Sequence, residues 1–249
     1  MKNRFLQFSI ATLVVLFFGC TSSSDGNIIN SNSNTKRPIN PITALEIQIG
    51  SQIWSAKNLN VSKYSDGTPI PQVTDPTQWE NLTTGAWCYY NNTTSNGTTY
   101  GKLYNWYAVA GIYNSASATN SALRKKLAPI GWHIPTDAEC SSLINFLDPN
   151  SDGGNNFPNT AGGKMKVIGT SFWQVPNAEA TNTSGFTGLP GGWRNGVFRF
   201  IGLHGYWWSL SEELSTAGGW FCALNYDNGS VNAYIGEKWL GFSVRCVKD

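Results

Sequence analysis

The chain has 249 residues, 17 of them Lys or Arg and 15 Asp or Glu, and charged residues make up only 13% of it. So little net charge, spread so thinly, argues against nucleic acid as a partner, because that role needs a concentrated basic face. Eleven Trp and 26 Gly instead call for rigid packing and many turns, the composition of an extracellular module rather than a cytosolic enzyme.

In chain order, Lys2 and Arg4 form a short basic start, and residues 5–18 are apolar apart from Gln7, Ser9 and Thr12. A membrane-spanning helix needs roughly 20 apolar residues, so this run is too short to span and reads as a secretory signal over residues 1–19. It closes on Gly19-Cys20, which resembles a bacterial lipobox. Cleavage before Cys20 and acylation of its thiol would hold the chain on a membrane it does not cross. The alternative is an ordinary cleaved signal with an incidental Cys. Removing Lys2 and Arg4 with the leader leaves 15 basic and 15 acidic residues, a formal charge of zero. Residues 20–42 are mostly Ser, Asn, Thr and Gly without apolar periodicity, and read as a flexible tether. Within them, Ser22-Ser23-Ser24-Asp25 resembles a lipoprotein surface-export signal. The expected location is the cell envelope, on the outer membrane facing the exterior.

Residues 43–249 suit one domain. A hairpin is expected from strands 45–49 and 52–56 around Gly50-Ser51, in a type II′ turn. Residues 58–81, with Pro69, Pro71 and Pro76, read as loop, and residues 85–90 as a strand carrying Cys88. The latter part of residues 100–109 reads as a short helix. The clearest helix follows Thr136. Thr136 and Glu139 form a capping box, and Cys140, Leu143, Ile144 and Leu147 share one helical face. Cys140 on that face needs a partner on the core side of a neighbouring strand. Beyond Ser184, glycines alternate with aromatics. A β-meander then runs through strands 220–226, 230–235 and 240–247, and Phe242, Val244 and Cys246 of the last point to the core. Helices and non-local strands in one domain define an α+β class, here with two short helices, a C-terminal antiparallel meander and long Gly/Trp-rich loops.

Four Cys remain beyond Cys20: Cys88, Cys140, Cys222 and Cys246. An even set in an exported domain implies two disulfides, with three possible connectivities. None forms a C-x-x-C pair and only two His exist, so no zinc site is expected.

Several ordered motifs resemble those of the Fibrobacter succinogenes major paralogous domain. They are Ala86-Trp87-Cys88-Tyr89-Tyr90-Asn91-Asn92, Tyr100-Gly101-Lys102-Leu103-Tyr104-Asn105-Trp106, Gly131-Trp132-His133-Ile134-Pro135-Thr136-Asp137-Ala138-Glu139, Leu189-Pro190-Gly191-Gly192, Gly205-Tyr206-Trp207-Trp208-Ser209, and Gly241-Phe242-Ser243-Val244-Arg245-Cys246-Val247-Lys248-Asp249. The resemblance implies a fold similar to the C-type-lectin-like and formylglycine-generating-enzyme-like folds, and no defined activity. It also implies the pairings Cys88–Cys246 and Cys140–Cys222.

The C-terminal third further resembles the variable regions of diversity-generating retroelement proteins, which vary surface residues on a fixed lectin-like frame. The frame here would be Gly191, Gly192, Gly205, Trp207, Ser209 and the last strand. The ligand-binding face would draw on Trp193, Val197, Arg199, Phe200, Leu203, His204, Trp220, Asn225, Asp227, Tyr234, Glu237, Lys238 and Trp239. Large rigid aromatics suit such a face, whereas Tyr206, Trp207 and Trp208 read as scaffold.

Calcium-dependent sugar binding needs clustered oxygen ligands. Val175-Pro176-Asn177 lacks the lectin carboxylate and no Trp-Asn-Asp is present, so no metal and no cofactor is expected. No catalytic set is expected either. Glu212 and Glu213 are adjacent and would face opposite ways in a strand, Asp137 and Glu139 are accounted for by capping, and His133 reads as structural. Arg124-Lys125-Lys126 reads as a solvated loop. The expected function is a surface-exposed, non-catalytic binding module for a glycan or protein ligand. The alternatives are a structural envelope or adhesin-assembly component, and an enzyme on envelope glycans.

Overall fold

The first described strands pair with the end of the sequence. The computed structural model describes residues 46–215 and 217–249; the expected signal, Cys20, the expected tether and Leu45 lie outside them. Strands β1 (Glu46–Ile49) and β2 (Gln52–Ser55) form the expected hairpin, with Ile49 opposite Gln52. Gly50 takes the left-handed φ of 61° that a primed hairpin turn needs and that only glycine adopts freely. Trp54 of β2 faces Val247 of the last strand, which in turn faces His133. The domain's two ends therefore close one antiparallel sheet.

Helix α1 (Pro76–Glu80) lies inside the segment expected to be loop. Asp75 caps it through Oδ1, which accepts from the Gln78 amide at 2.8 Å. Pro76 occupies the first turn, where a missing N–H costs nothing. The proline was thus a start signal rather than a breaker. Strand β3 (Trp87–Cys88) is shorter than expected and pairs with β4 (Leu103–Tyr104). Between them lies α2 (Thr94–Tyr100), and after them α3 (Trp106–Val109), at the place expected for a short helix. Helix α4 (Ser115–Thr119) and strand β5 (Trp132–His133) precede α5 (Asp137–Leu147). Helix α5 begins with the expected capping box: the Thr136 amide donates to Glu139 Oε2 at 2.8 Å, and the Glu139 amide to Thr136 Oγ1 at 3.3 Å. Helix α6 (Ala161–Met165) follows. Six α-helices among the described residues replace the two expected. Four of them have five residues or fewer, too short for apolar periodicity to reveal.

The C-terminal half is antiparallel. Strands β6 (Gly191–Asn195) and β7 (Val197–Ile201) form a hairpin. Strands β8 (His204–Glu213), β9 (Gly218–Asn225) and β10 (Val231–Glu237) form the meander, in the order β10-β9-β8. The predicted closing strand is only β11 (Val247–Lys248). Residues 241–246 instead bond in succession to several elements: Gly241 to Arg194, Phe242 to Tyr104, Ser243 to Tyr206 and Trp208, Val244 to Leu59, and Cys246 to Ser55. This segment is a central spine with neighbours on every side. Phe242, Val244 and Cys246 are buried as expected, but so are Ser243 and Arg245, which a one-sided strand would have exposed.

The two faces of the meander serve two cores. One carries Trp207, Cys222, Leu224 and Val231 against Cys140, Leu143, Ile144 and Leu147 of α5. The other carries Trp208, Phe221 and Ala223 against Phe242, Val244, Tyr104 and Trp106. A smaller cluster joins Trp79, Cys88, Tyr90 and Leu103. The protein is a mixed α and β fold of several small antiparallel sheets with short helices.

The four cysteines among the described residues are buried free thiols, so neither expected disulfide is present. Cys88 and Cys246 belong to different core clusters, Cys88 beside Arg194 and Cys246 among the Trp132 and Val244 side. This corrects the Cys88–Cys246 pairing. Cys140 does meet Cys222 of β9: a hydrogen bond between the thiols, with burial, holds the Cys140 thiol well above its usual pKa.

Candidate functional site

The β6–β7 hairpin and the start of β8 build an exposed aromatic face. Arg199 is directly opposite Trp193 in the hairpin register. Side chains alternate along a strand, so Phe200 should project away from Trp193. It does not. Phe200 has φ 63° and Gly192, facing it across the hairpin, has the same φ of 63°. This left-handed pair turns the Phe200 ring over, so that it stacks on Trp193 with centroids 6.4 Å apart and planes 8° apart. Gly192 has no alternative: a Cβ there would sit 2.4 Å from the Arg199 carbonyl. Phe200 has no such licence, and a bulky residue at positive φ is strained by about 1–3 kcal/mol.

From Phe200 the face continues. Its ring lies 4.9 Å from His204, and His204 stacks on Tyr206 at 5.8 Å and 5°. Tyr206 stacks on Phe242 of the spine at 5.1 Å, which ties the face to the core. Phe221 lies between Tyr206 and Tyr234, at 6.0 and 5.8 Å. Phe200 is 42% exposed and Tyr234 50% exposed. Burial draws the His204 pKa below its ordinary value, against opposing pulls from an Asn225 hydrogen bond and the Asp227 charge, so the imidazole is neutral at pH 7. Burial, with a contribution from Tyr234, pushes the Tyr206 phenol up to about 12. The indole N–H of Trp193 is buried with no acceptor among the described residues.

The structure therefore brings together Trp193, Phe200, His204 and Tyr234, with Asn225 and Asp227 beside His204. Arg199 is exposed across from Trp193, Val197 is exposed near the hairpin tip, and Leu203 forms the turn into β8. Four expected residues fall elsewhere. Trp220 faces Ile235, on the opposite side of the meander from Phe221, and hydrogen-bonds Glu213. Glu237 lies at the far end of β10, opposite Gly218. Lys238 pairs with Glu212 and covers the Trp106 ring. Trp239 packs with Phe198 against the Trp79 cluster. Tyr206 was expected as scaffold and is both: half-buried, with one side on Phe242 and the other on His204. The period of two along β8 puts it in line with His204.

A larger groove of about 870 Å³ lies elsewhere, lined by Asn58, Asn60, Thr98, Phe172 and Arg245 among others. Its amides are already committed to the scaffold. Asn58 Oδ1 accepts from Trp207 and Arg245, and Asn60 Oδ1 from Lys102. The aromatic face instead leaves Phe200 and Tyr234 exposed, which makes it the stronger candidate.

No curated protein and no solved structure matches this chain. Residues 47–248 match the Fibrobacter succinogenes major domain, from the first strand of the sheet to the last. The chain belongs to the Fibrobacter succinogenes major domain family.

Proposed function

We propose that this protein is a lipid-anchored surface protein whose folded domain binds a ligand, without catalysis, through the face of Trp193, Phe200, His204, Tyr206 and Tyr234. One observation carries the reading. Two unfavourable features, the left-handed Phe200 and the unpartnered Trp193 indole, coincide at one exposed stack. Strain and unsatisfied polar groups persist where binding or chemistry uses them. His204 has an amide, the Asp227 carboxylate and aromatic rings for neighbours, a mixed surface suited to ligand contact. An aromatic surface edged by Arg199 and Asp227 fits a saccharide ring or a protein side chain. The adjacency of first hairpin and last strand, with aromatic-bearing loops between, supports a C-type-lectin-like reading of the fold. Anchoring through Cys20 rests on the leader sequence.

The test is binding of the full chain to arrays of envelope glycans, host glycans and surface proteins. The expected result is a ligand retained by the parent and lost in Phe200→Asn and Trp193→Ala variants with unchanged unfolding midpoints. Binding that survives both variants, or no binding on any array, rejects the assignment. Labelled palmitate should enter the parent and not Cys20→Ala.

A further inference from the structure

The basic run Arg124-Lys125-Lys126 borders a second cavity, of about 320 Å³, at the other end of β8 from the aromatic face. Leu210 at its wall is six residues along β8 from His204, about 20 Å at a strand's rise per residue. The cavity is mostly apolar, with Trp106, Trp132, Ile134 and Leu210 among its walls. Trp106, Trp132 and Ile134 are core residues, so that wall is rigid. Such a size and lining, with a few polar groups at the edge, are those of small-molecule sites.

The charges around it do not balance. Lys125 pairs with Asp66, and Glu212 with Lys238. His133 is bonded at 2.8 Å to both Glu139 and Asp249. That leaves Arg124 and Lys126. Arg124 makes one long Nε–H contact, 3.4 Å, to the Ser117 carbonyl, and has no carboxylate. Lys126 is exposed, and its ammonium has no partner among the described residues. Two unneutralised cations thus border an apolar cleft with two indole rings in its lining.

We infer that this cavity is a second binding site, for a small amphipathic anion: a free aryl carboxylate, its ring against the wall of Trp132, Ile134 and Leu210 and its carboxylate at Arg124 and Lys126. The charge complementarity selects the carboxylate, and the apolar wall selects an apolar body. The site is independent of the aromatic face.

The probe is 3-phenylpropionate, with the neutral 3-phenylpropanamide as its isostere, titrated against the full chain by calorimetry and saturation-transfer NMR. The acid is expected to bind about tenfold or more tightly than the amide, the fold-change of one charge-assisted hydrogen bond. Arg124→Ala with Lys126→Ala should erase that preference without moving the unfolding midpoint, because neither side chain is buried. Leu210→Trp should obstruct both compounds, and Phe200→Asn should affect neither. Equal affinities for acid and amide, no binding of either, or a preference that survives the double variant would overturn the site and leave the aromatic-face assignment standing.

Discussion

The guanidinium of Arg194 lies 4.5 Å from the centre of the Trp79 ring and 4.9 Å from Phe198, and donates to the Val73 and Thr74 carbonyls at 2.7 and 2.8 Å. No carboxylate takes part. Lys166 follows the same rule, bonded to the Ala178, Asn225 and Asn228 carbonyls, as does Arg245, held by the Ser55 carbonyl and Asn58 over Phe186. These buried cations act as cross-links between loops that have few ladder hydrogen bonds of their own. Arg194→Met should therefore cost about 3 kcal/mol or more, because it orphans buried carbonyls. Lys248→Ala, which removes the exposed pair with Glu46 at 2.8 Å, should cost less than about 1 kcal/mol. Urea denaturation of both variants checks the contrast, and equal losses would contradict it.

Truncating a core Phe costs about 3–5 kcal/mol. Phe200 should behave differently. Phe200→Gly removes about 1–3 kcal/mol of left-handed strain, against loss of one stacked aromatic pair worth about 0.5–1.5 kcal/mol. The expected change in unfolding free energy is within about 1 kcal/mol of zero. A loss near the core value would show that Phe200 is scaffold and not part of a binding face.

His133 bridges Glu139 and Asp249, each at 2.8 Å. Burial lowers its pKa, but hydrogen bonds and charge from both carboxylates prevail and raise it above its ordinary value of 6.5. Its contribution is then full below about pH 6.5 and is lost as pH rises through the higher folded-state pKa. For Glu139, burial acts upward, but bonds from Thr136 and His133 win and lower its pKa, so its contribution is lost as pH falls through that lowered value. Stability should peak between these limbs. In denaturation curves from acid to mildly alkaline pH, His133→Asn should flatten the alkaline limb. An unchanged limb would mean the bridge is not linked to folding.

Cys140 and Cys222 are adjacent, whereas Cys88 is buried with its thiol pushed up to about 11. In the presence of a disulfide oxidant, Cys140 and Cys222 should join and the other two should remain thiols. Intact and peptide mass spectrometry would show a loss of two hydrogens confined to that pair. The closed loop should add about 4 kcal/mol of stability. A Cys88–Cys246 peptide would contradict the packing described above.

Much of the local structure is legible along the chain. The Thr136–Glu139 box and the Cys140, Leu143, Ile144, Leu147 stripe predict α5 because capping and periodicity act within a few residues. Helix α2, Thr-Ser-Asn-Gly-Thr-Thr-Tyr, has no such stripe and is placed by contacts with distant loops, such as Asn60 Nδ2 donating to the Gly97 carbonyl. In the site, Trp193, Phe200, His204 and Tyr234 are legible as aromatics among glycines. Trp239 has the same chemistry and is spent on the Trp79 cluster, a distinction that depends on packing between segments far apart in sequence.

The sequence by itself determined the hairpin at Gly50, the helix at Thr136, the antiparallel pair β9 and β10 of the meander, and the family. Each depends on turn chemistry, side-chain periodicity or ordered short motifs. Only the tertiary structure decided that residues 241–246 form a spine, that Cys140 rather than Cys88 has a thiol neighbour, and that Phe200 turns onto Trp193. Those outcomes depend on which backbone groups from remote segments compete for the same hydrogen bonds and the same volume, and no window along the chain contains that competition.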